Sequence, residues 1–389
     1  MLLGCSTSTT PSSTNAAGNG VGASSTSAAP TGTSTGTAAP VASDVVFPGA
    51  TWDTVDPTAA GFSPEGLAKM ATAAEGGGSN CLLVTRHGKL VQEWYWNGKG
   101  ADDAQEVFSA TKSYTSTLVG IAQTEGKLSI DDSASKYIPA WKGTPAEAVT
   151  VKNLLSNDSG RHWDYETDYL KMAAAAPDKN AFAIGLEQDE PPGKVWVYNN
   201  SAIQTLSAVL DTATGMKPAA YAKDKLLGPI GMAHSEMTSD RAGNTLTFMG
   251  LHSTCRDMAR YGYLALNKGN WNGTQIVPAA WIDEATGHAS QPLNAAYGYL
   301  WWLNRKGKIP SIISPTSAED QAGKPEGQMV PGAPENVFWA LGLGNQMIAI
   351  FPDSGVVAVR LGPTNAPKGA TKFDTESITI GTQEALVTP

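Results

Sequence analysis

Apolar and polar positions along the chain repeat with different periods in different regions, and the order of those regions outlines the fold. At Ser63-Pro64-Glu65 a capping hydroxyl, a proline at the first helical position and an acid in the first turn predict a helix start. Leu67, Met70, Ala71 and Ala74 then share one apolar face, and Gly76-Gly77-Gly78 ends the run. Two apolar runs, 81–84 and 90–96, flank Arg86-His87-Gly88-Lys89 and predict a hairpin. The stretch from Val107 to Ala122 follows, and between Glu106 and Glu125 its only charged side chain is Lys112. Leu118, Val119, Ile121 and Ala122 fall at helical spacing, so this stretch predicts a mostly buried helix carrying one ammonium near its N-terminus. From Gly126 to about Gly287 helical patterns dominate, at 202–214, 219–227 and 256–267. Strand patterns return at 297–303, 338–341, 347–351 and 356–361, with Pro352-Asp353-Ser354-Gly355 as a tight turn between the last two. The stretch 305–335 is long and rich in Gly, Pro and charge, as functional or mobile loops are. Strands early and late with helices between predict an α+β chain whose sheet is interrupted by a helical insert. The expected divisions are 1–43, a tether; 44–125, the first part of an α/β domain; 126–289, the helical insert; and 290–389, the second part.

Composition narrows the function. A chain of 389 residues can bury a large core as one domain or two. A net charge of -9 gives a nucleic-acid partner no electrostatic support. No apolar run reaches the length of a membrane span. Cys5, Cys81 and Cys255 have no zinc spacing, and the five histidines are scattered singly, so no metal or cofactor is expected. Residues 6–43 are dominated by Ser, Thr, Ala, Gly and Pro without a charge, the composition of a flexible tether. Met1-Leu2-Leu3-Gly4-Cys5 resembles a bacterial lipobox lacking the basic and apolar regions that precede one. It leads us to expect an envelope or periplasmic lipoprotein anchored to the membrane through a lipidated Cys5; the alternative is a cytoplasmic protein with a disordered tail. The pairing of Cys81 with Cys255 and the oligomeric state stay open.

The chemistry centres on the singly charged helix. Residues three apart share a helix face, so Ser109 and Lys112 can meet. Burial pushes a lysine toward its neutral, basic form, and a hydroxyl beside a base is the minimum for an activated nucleophile. The same spacing recurs at Ser133 and Lys136, where Asp131 and Asp132 precede it and no buried helix surrounds it. Gly32-Thr33-Ser34-Thr35-Gly36 matches a nucleophile elbow in letters only, since no strand precedes it and no helix follows. Tyr198 precedes a helical run and is a candidate proton shuttle. Asn200 is a candidate for holding the lysine or the substrate carbonyl. A backbone amide from the glycine-bearing strand at Gly342-Leu343-Gly344-Asn345-Gln346, with that of Ser109, is a candidate oxyanion hole.

In this order the blocks resemble the class C β-lactamase-like serine hydrolases, which include penicillin-binding proteins, family VIII carboxylesterases and 6-aminohexanoate-dimer hydrolases. The resemblance runs from about Phe62 to Gly362. It rests on Phe108-Ser109-Ala110-Thr111-Lys112, Val151-Lys152-Asn153-Leu154-Leu155-Ser156, Pro191-Pro192-Gly193 and Tyr198-Asn199-Asn200, continuing through 255–262, 297–302 and 340–344. It implies an antiparallel sheet flanked by helices with an inserted helical domain, the site lying between them. By the same resemblance Ser109 is acylated, Lys112 and Tyr198 share the proton transfers, and Asn200 is the motif asparagine. The family's third motif, Lys-Thr-Gly in β-lactamases and D-Ala peptidases, is replaced here by Leu343-Gly344-Asn345. Gly344, Asn345 and Gln346 are the candidates on that strand, and Trp163, Tyr165 and Tyr169 are candidates for lining the cleft. The expected substrate is a small ester or amide. The rivals are a β-lactamase or D-Ala-D-Ala carboxypeptidase, with Arg161 or Arg305 supplying the missing cation, and an inactive cell-wall-binding lipoprotein of the same fold.

Overall fold

The early hairpin and the late strands meet in one sheet because each carries apolar residues on both of its faces. In this computed structural model, which describes residues 45–387, β1 (Cys81–Arg86) and β2 (Lys89–Tyr95) form the expected hairpin. The chain returns to that sheet at β3 (Trp302–Leu303), β4 (Phe338–Gly342), β5 (Gln346–Phe351) and β6 (Val356–Leu361). The order is β2-β1-β6-β5-β4-β3 with every neighbour antiparallel, so the first hairpin closes on the last strand. This is the interrupted α+β sheet expected from the pattern. Cys5, the tether and Ser34 lie outside the described residues.

Five helices pack on the sheet or on one another: α1 (Pro64–Gly76), α2 (Thr111–Thr124), α3 (Leu206–Thr214), α4 (Cys255–Leu266) and α5 (Thr375–Ala385). At the start of α1, Ser63 Oγ accepts the Gly66 amide at 3.1 Å, as its capping sequence predicts. Period-two alternation sends Leu82, Val84, Met347, Ala349, Val356 and Ala358 into the core shared with α1 and α5. Leu83, Ile348, Ile350, Val357 and Val359 face the other way, into the core of α4, α2 and α3. Gly262 lets α4 lie close to the sheet, since a Cβ there would sit 2.6 Å from Val357 and 2.7 Å from Ile348. A disulfide joins Cys81 on β1 to Cys255 at the start of α4, across a sequence separation of 174. In the chain-entropy account a cross-link of that span stabilises the fold by about 5 kcal/mol.

The chain differs from expectation in three places. Helix 202–214 divides at Thr205, whose hydroxyl donates to the Ala202 carbonyl at 2.6 Å, leaving Asn200–Gln204 as a separate turn before α3. The predicted strand 297–303 survives only as β3. Leu300 sits at φ 60 and the Gly298 amide folds back to Trp301 O at 3.0 Å, so the first part is a buried turn. Helix α4, grouped in sequence with the helical insert, packs on the sheet, and one core runs without a break from the sheet through α2 into α3.

Candidate active site

Helix α2 is buried from Thr111 to Ala122, as its nearly uncharged sequence requires. A short 3₁₀ turn, Phe108–Ala110, precedes it, so Ser109 sits at the mouth of the helix rather than inside it. Phe108 adopts φ 49, an uncommon value for a bulky residue, immediately before the serine. Strand β4 lies against this turn. A Cβ on Gly342 would come within 2.1 Å of Val107 O, so only glycine admits the approach.

Lys112 is 1% exposed, and its ammonium has three partners, all acceptors. It donates to Ser109 Oγ at 2.8 Å, to Asn200 Oδ1 at 2.7 Å and to Phe248 O at 2.8 Å. Burial pushes its pKa down to about 7, and the buried Asp168 opposes that shift. The amine is therefore poised to exchange a proton with Ser109 near neutrality. Tyr198 packs its ring 4.6 Å from Lys112 Nζ, and its hydroxyl lies near enough to Ser109 to feel it electrostatically. Burial raises the Tyr198 pKa well above the ordinary phenol value, so it holds its proton rather than acting as a phenolate. Sequence reasoning thus brought together four side chains, Ser109, Lys112, Tyr198 and Asn200, that the structure also groups.

Two members of the site carried no signal in the sequence. One is the Phe248 carbonyl, which a sequence cannot single out among backbone groups. The other is Asp168, buried in the π-helical segment Glu166–Ala175. Its carboxylate accepts from Asn200 N at 3.2 Å, Asn200 Nδ2 at 2.8 Å, Ser201 N at 2.7 Å and Ser201 Oγ at 2.7 Å. Its neighbours Asp164 and Glu166 are at least partly exposed, so no pattern marks it out.

A cleft of ≈ 600 Å³ opens above Ser109. Tyr169, Tyr198, Asn200 and Asn345 supply polar edges, and Phe248, Met249, Trp302, Ile309, Ile312, Met329, Leu341 and Leu343 supply apolar walls. No Lys, Arg, His, Asp or Glu is among its described lining residues. Trp302 stacks on Tyr198 with ring centroids 5.5 Å apart.

Several sequence candidates do not reach this lining. Trp163 is buried elsewhere, and Tyr165 is exposed and reaches the cleft only through its ring contact with Tyr169 at 5.0 Å. The Gln346 amide is turned into the protein. Nε2 donates to Leu343 O at 3.1 Å and Gly362 O at 2.9 Å, while Oε1 accepts the Gly362 amide at 2.8 Å. The Arg360 guanidinium donates to Gly344 O and Asn345 O, which draws those carbonyls inward and leaves Leu343 61% exposed at the cleft edge. Gly344 and Gln346 therefore shape the loop from behind, and Asn345 alone of the three lines the cleft. Arg161 is spent on the carbonyls of Ala183, Ile184 and Leu186, and neither it nor Arg305 lines the cleft.

The Beta-lactamase family model matches residues 67–381. A 6-aminohexanoate-dimer hydrolase of Paenarthrobacter ureafaciens is 23% identical over 265 residues, 60% of this chain and 67% of that protein. Penicillin-binding protein 4* of Bacillus subtilis (strain 168) is 25% identical over 147 residues, 35% of this chain and 31% of its own length. Among solved structures, a beta-lactamase from Mycobacterium bovis superposes with TM-score 0.57 at 15% identity, covering 81% of this chain and 99% of that one, which bears on the fold alone.

Proposed function

The chain belongs to the Beta-lactamase family and is a hydrolase of that fold, and from that premise we propose that it cleaves uncharged esters or amides through an acyl-enzyme on Ser109. Neutral Lys112 takes the Ser109 proton as Oγ attacks the substrate carbonyl. The tetrahedral oxyanion is held by the Ser109 amide and an amide at the end of β4, a placement favoured by the close contact at Gly342. The Tyr198 hydroxyl, beside both Ser109 and the lysine, passes a proton to the departing alcohol or amine and regains one from the Lys112 ammonium. A water then attacks the acyl-enzyme by the reverse proton path, releasing the acid and restoring Ser109.

The observation that carries this reading is the lining of the cleft, which sets the serine and lysine beneath walls without a charge. A β-lactam or D-Ala peptide carries a carboxylate beside the scissile bond, and its recognition needs a cation there. A charge-assisted hydrogen bond contributes about 1.5–3 kcal/mol, so its absence costs about 10- to 100-fold in selectivity. We therefore expect kcat/KM for an uncharged butanoate aryl ester to exceed that for a chromogenic cephalosporin by at least that factor. A cephalosporin that wins the comparison restores the β-lactamase reading. The Cys81–Cys255 disulfide favours an oxidising compartment, in keeping with an envelope lipoprotein held through Cys5.

A further inference from the structure

Nine large hydrophobic side chains are notably exposed among the described residues, and three of them line one opening. Ile309, Ile312 and Leu343 line the cleft itself. The exposed Ile313 and Leu170 follow the lining residues Ile312 and Tyr169 in sequence, and the exposed Tyr165 ring stacks on Tyr169. Apolar surface gathered at the mouth of a cavity marks a binding surface, whereas scattered exposed residues mark nothing. Its occupant must also reach Ser109, because the apolar walls run from the rim down to the serine. Resting on the esterase reading above, we propose that the rim and the walls below it form a subsite for the acyl chain of medium-length fatty esters. The acyl part is the one that stays attached to Ser109 through both steps, so apolar contacts to it serve acylation and deacylation alike, whereas contacts to the alcohol are lost after the first. Ile309, Ile312 and Met329 come from the 305–335 loop, which thus supplies the specificity wall.

The test is a series of p-nitrophenyl esters from acetate to decanoate, each below its micelle concentration. Each added methylene should raise kcat/KM by about fourfold until the cleft is filled. Ile309→Asp and Ile312→Asp should each lower the decanoate-to-acetate ratio. A flat or falling series with an active enzyme overturns the subsite. Failure to cleave any ester sinks the parent reading instead. Should the variants misfold, the labelling rate of the native protein by alkyl phosphonates of rising chain length gives the same slope or refutes it.

A different observation carries a second proposal. Burial raises the Asp168 pKa, against which four donors from Asn200 and Ser201 favour the carboxylate, and that acceptor obliges Asn200 to present Nδ2 to it and Oδ1 to Lys112. We infer that Asp168 is a positioning residue: it sets the asparagine so that its oxygen holds the lysine, and its charge reaches the lysine through that amide. The titratable groups facing Lys112 and Asp168 besides each other are the phenols of Tyr198 and Tyr169. Asp168→Asn removes the negative charge, so Lys112 gives up its proton more easily. The ascending limb of kcat/KM against pH should move to lower pH, and kcat should fall about 10- to 100-fold as the lysine loses its alignment. A variant of reduced yield with an unmoved limb shows a merely structural role and overturns the proposal. Should it not fold, Ser201→Ala, which loosens the same carboxylate and keeps its charge, must lower kcat; a wild-type kcat there also overturns it.

Discussion

Ser109→Ala is expected to abolish covalent labelling by a phosphonate probe and to lower ester turnover by about 10⁶-fold, the loss seen when the nucleophile of a concerted serine site is removed. The variant should keep its circular dichroism and melting temperature, because the change removes one hydroxyl from the edge of the cleft and leaves α2 intact. Ser133→Ala is the informative control. Ser133 Oγ donates to Glu147 O at 2.6 Å, and Lys136 reaches out to Asp132 at 2.8 Å on the surface. The second S-x-x-K is thus a capped turn beside a solvated ion pair, which contributes little. Ser34→Ala should be equally silent. Labelling that persists in Ser109→Ala removes the mechanism altogether.

Lys112 and Tyr198 are expected to act as one unit, because Lys112 bonds to Ser109 Oγ and packs on the Tyr198 ring, whose hydroxyl interacts with the same serine. Tyr198→Phe and Lys112→Met should each lower kcat by about 10²–10⁴-fold, as loss of an acid–base group does. The double variant should be little worse than the poorer single one, since removing either group breaks the same proton path. The native enzyme should lose kcat/KM below about pH 7, where Lys112 becomes protonated and cannot accept the serine proton. Lys112→Met should lose that limb, and Tyr198→Phe should keep it. Losses that multiply in the double variant assign the two residues separate roles. Removing the ammonium also leaves Asn200 Oδ1 and Phe248 O without a donor, at about 1–3 kcal/mol each, so the melting temperature belongs beside every rate.

How far the site was legible follows from what kind of contact holds each part. A lone charge in an apolar helical run is visible in one dimension, and a serine three residues before it shares its face by geometry alone. Tyr198 and Asn200 could be read only through their order along the chain. Gln346 illustrates the limit: glycines mark the end of β4 correctly, but the face onto which a side chain falls after a turn depends on Gly344 and Asn345, both at positive φ. Asp168 and the Phe248 carbonyl act through long-range hydrogen bonds, for which the sequence has no period. The strand expected at 297–303 failed for a related reason. Its aromatic residues are as buried as strand residues, but Leu300 turns the chain back on itself, and burial alone does not distinguish the two.

The sheet order has a consequence for how the polypeptide is made. β1 lies between β2 and β6, so it has a partner for only one of its two edges until nearly the whole chain has emerged. Such late, distant pairing is slow, and an unpaired apolar edge invites association with other chains while it waits. That edge of β1 therefore stays exposed until β6 forms, and a protein truncated before Val356 would be left with it permanently open.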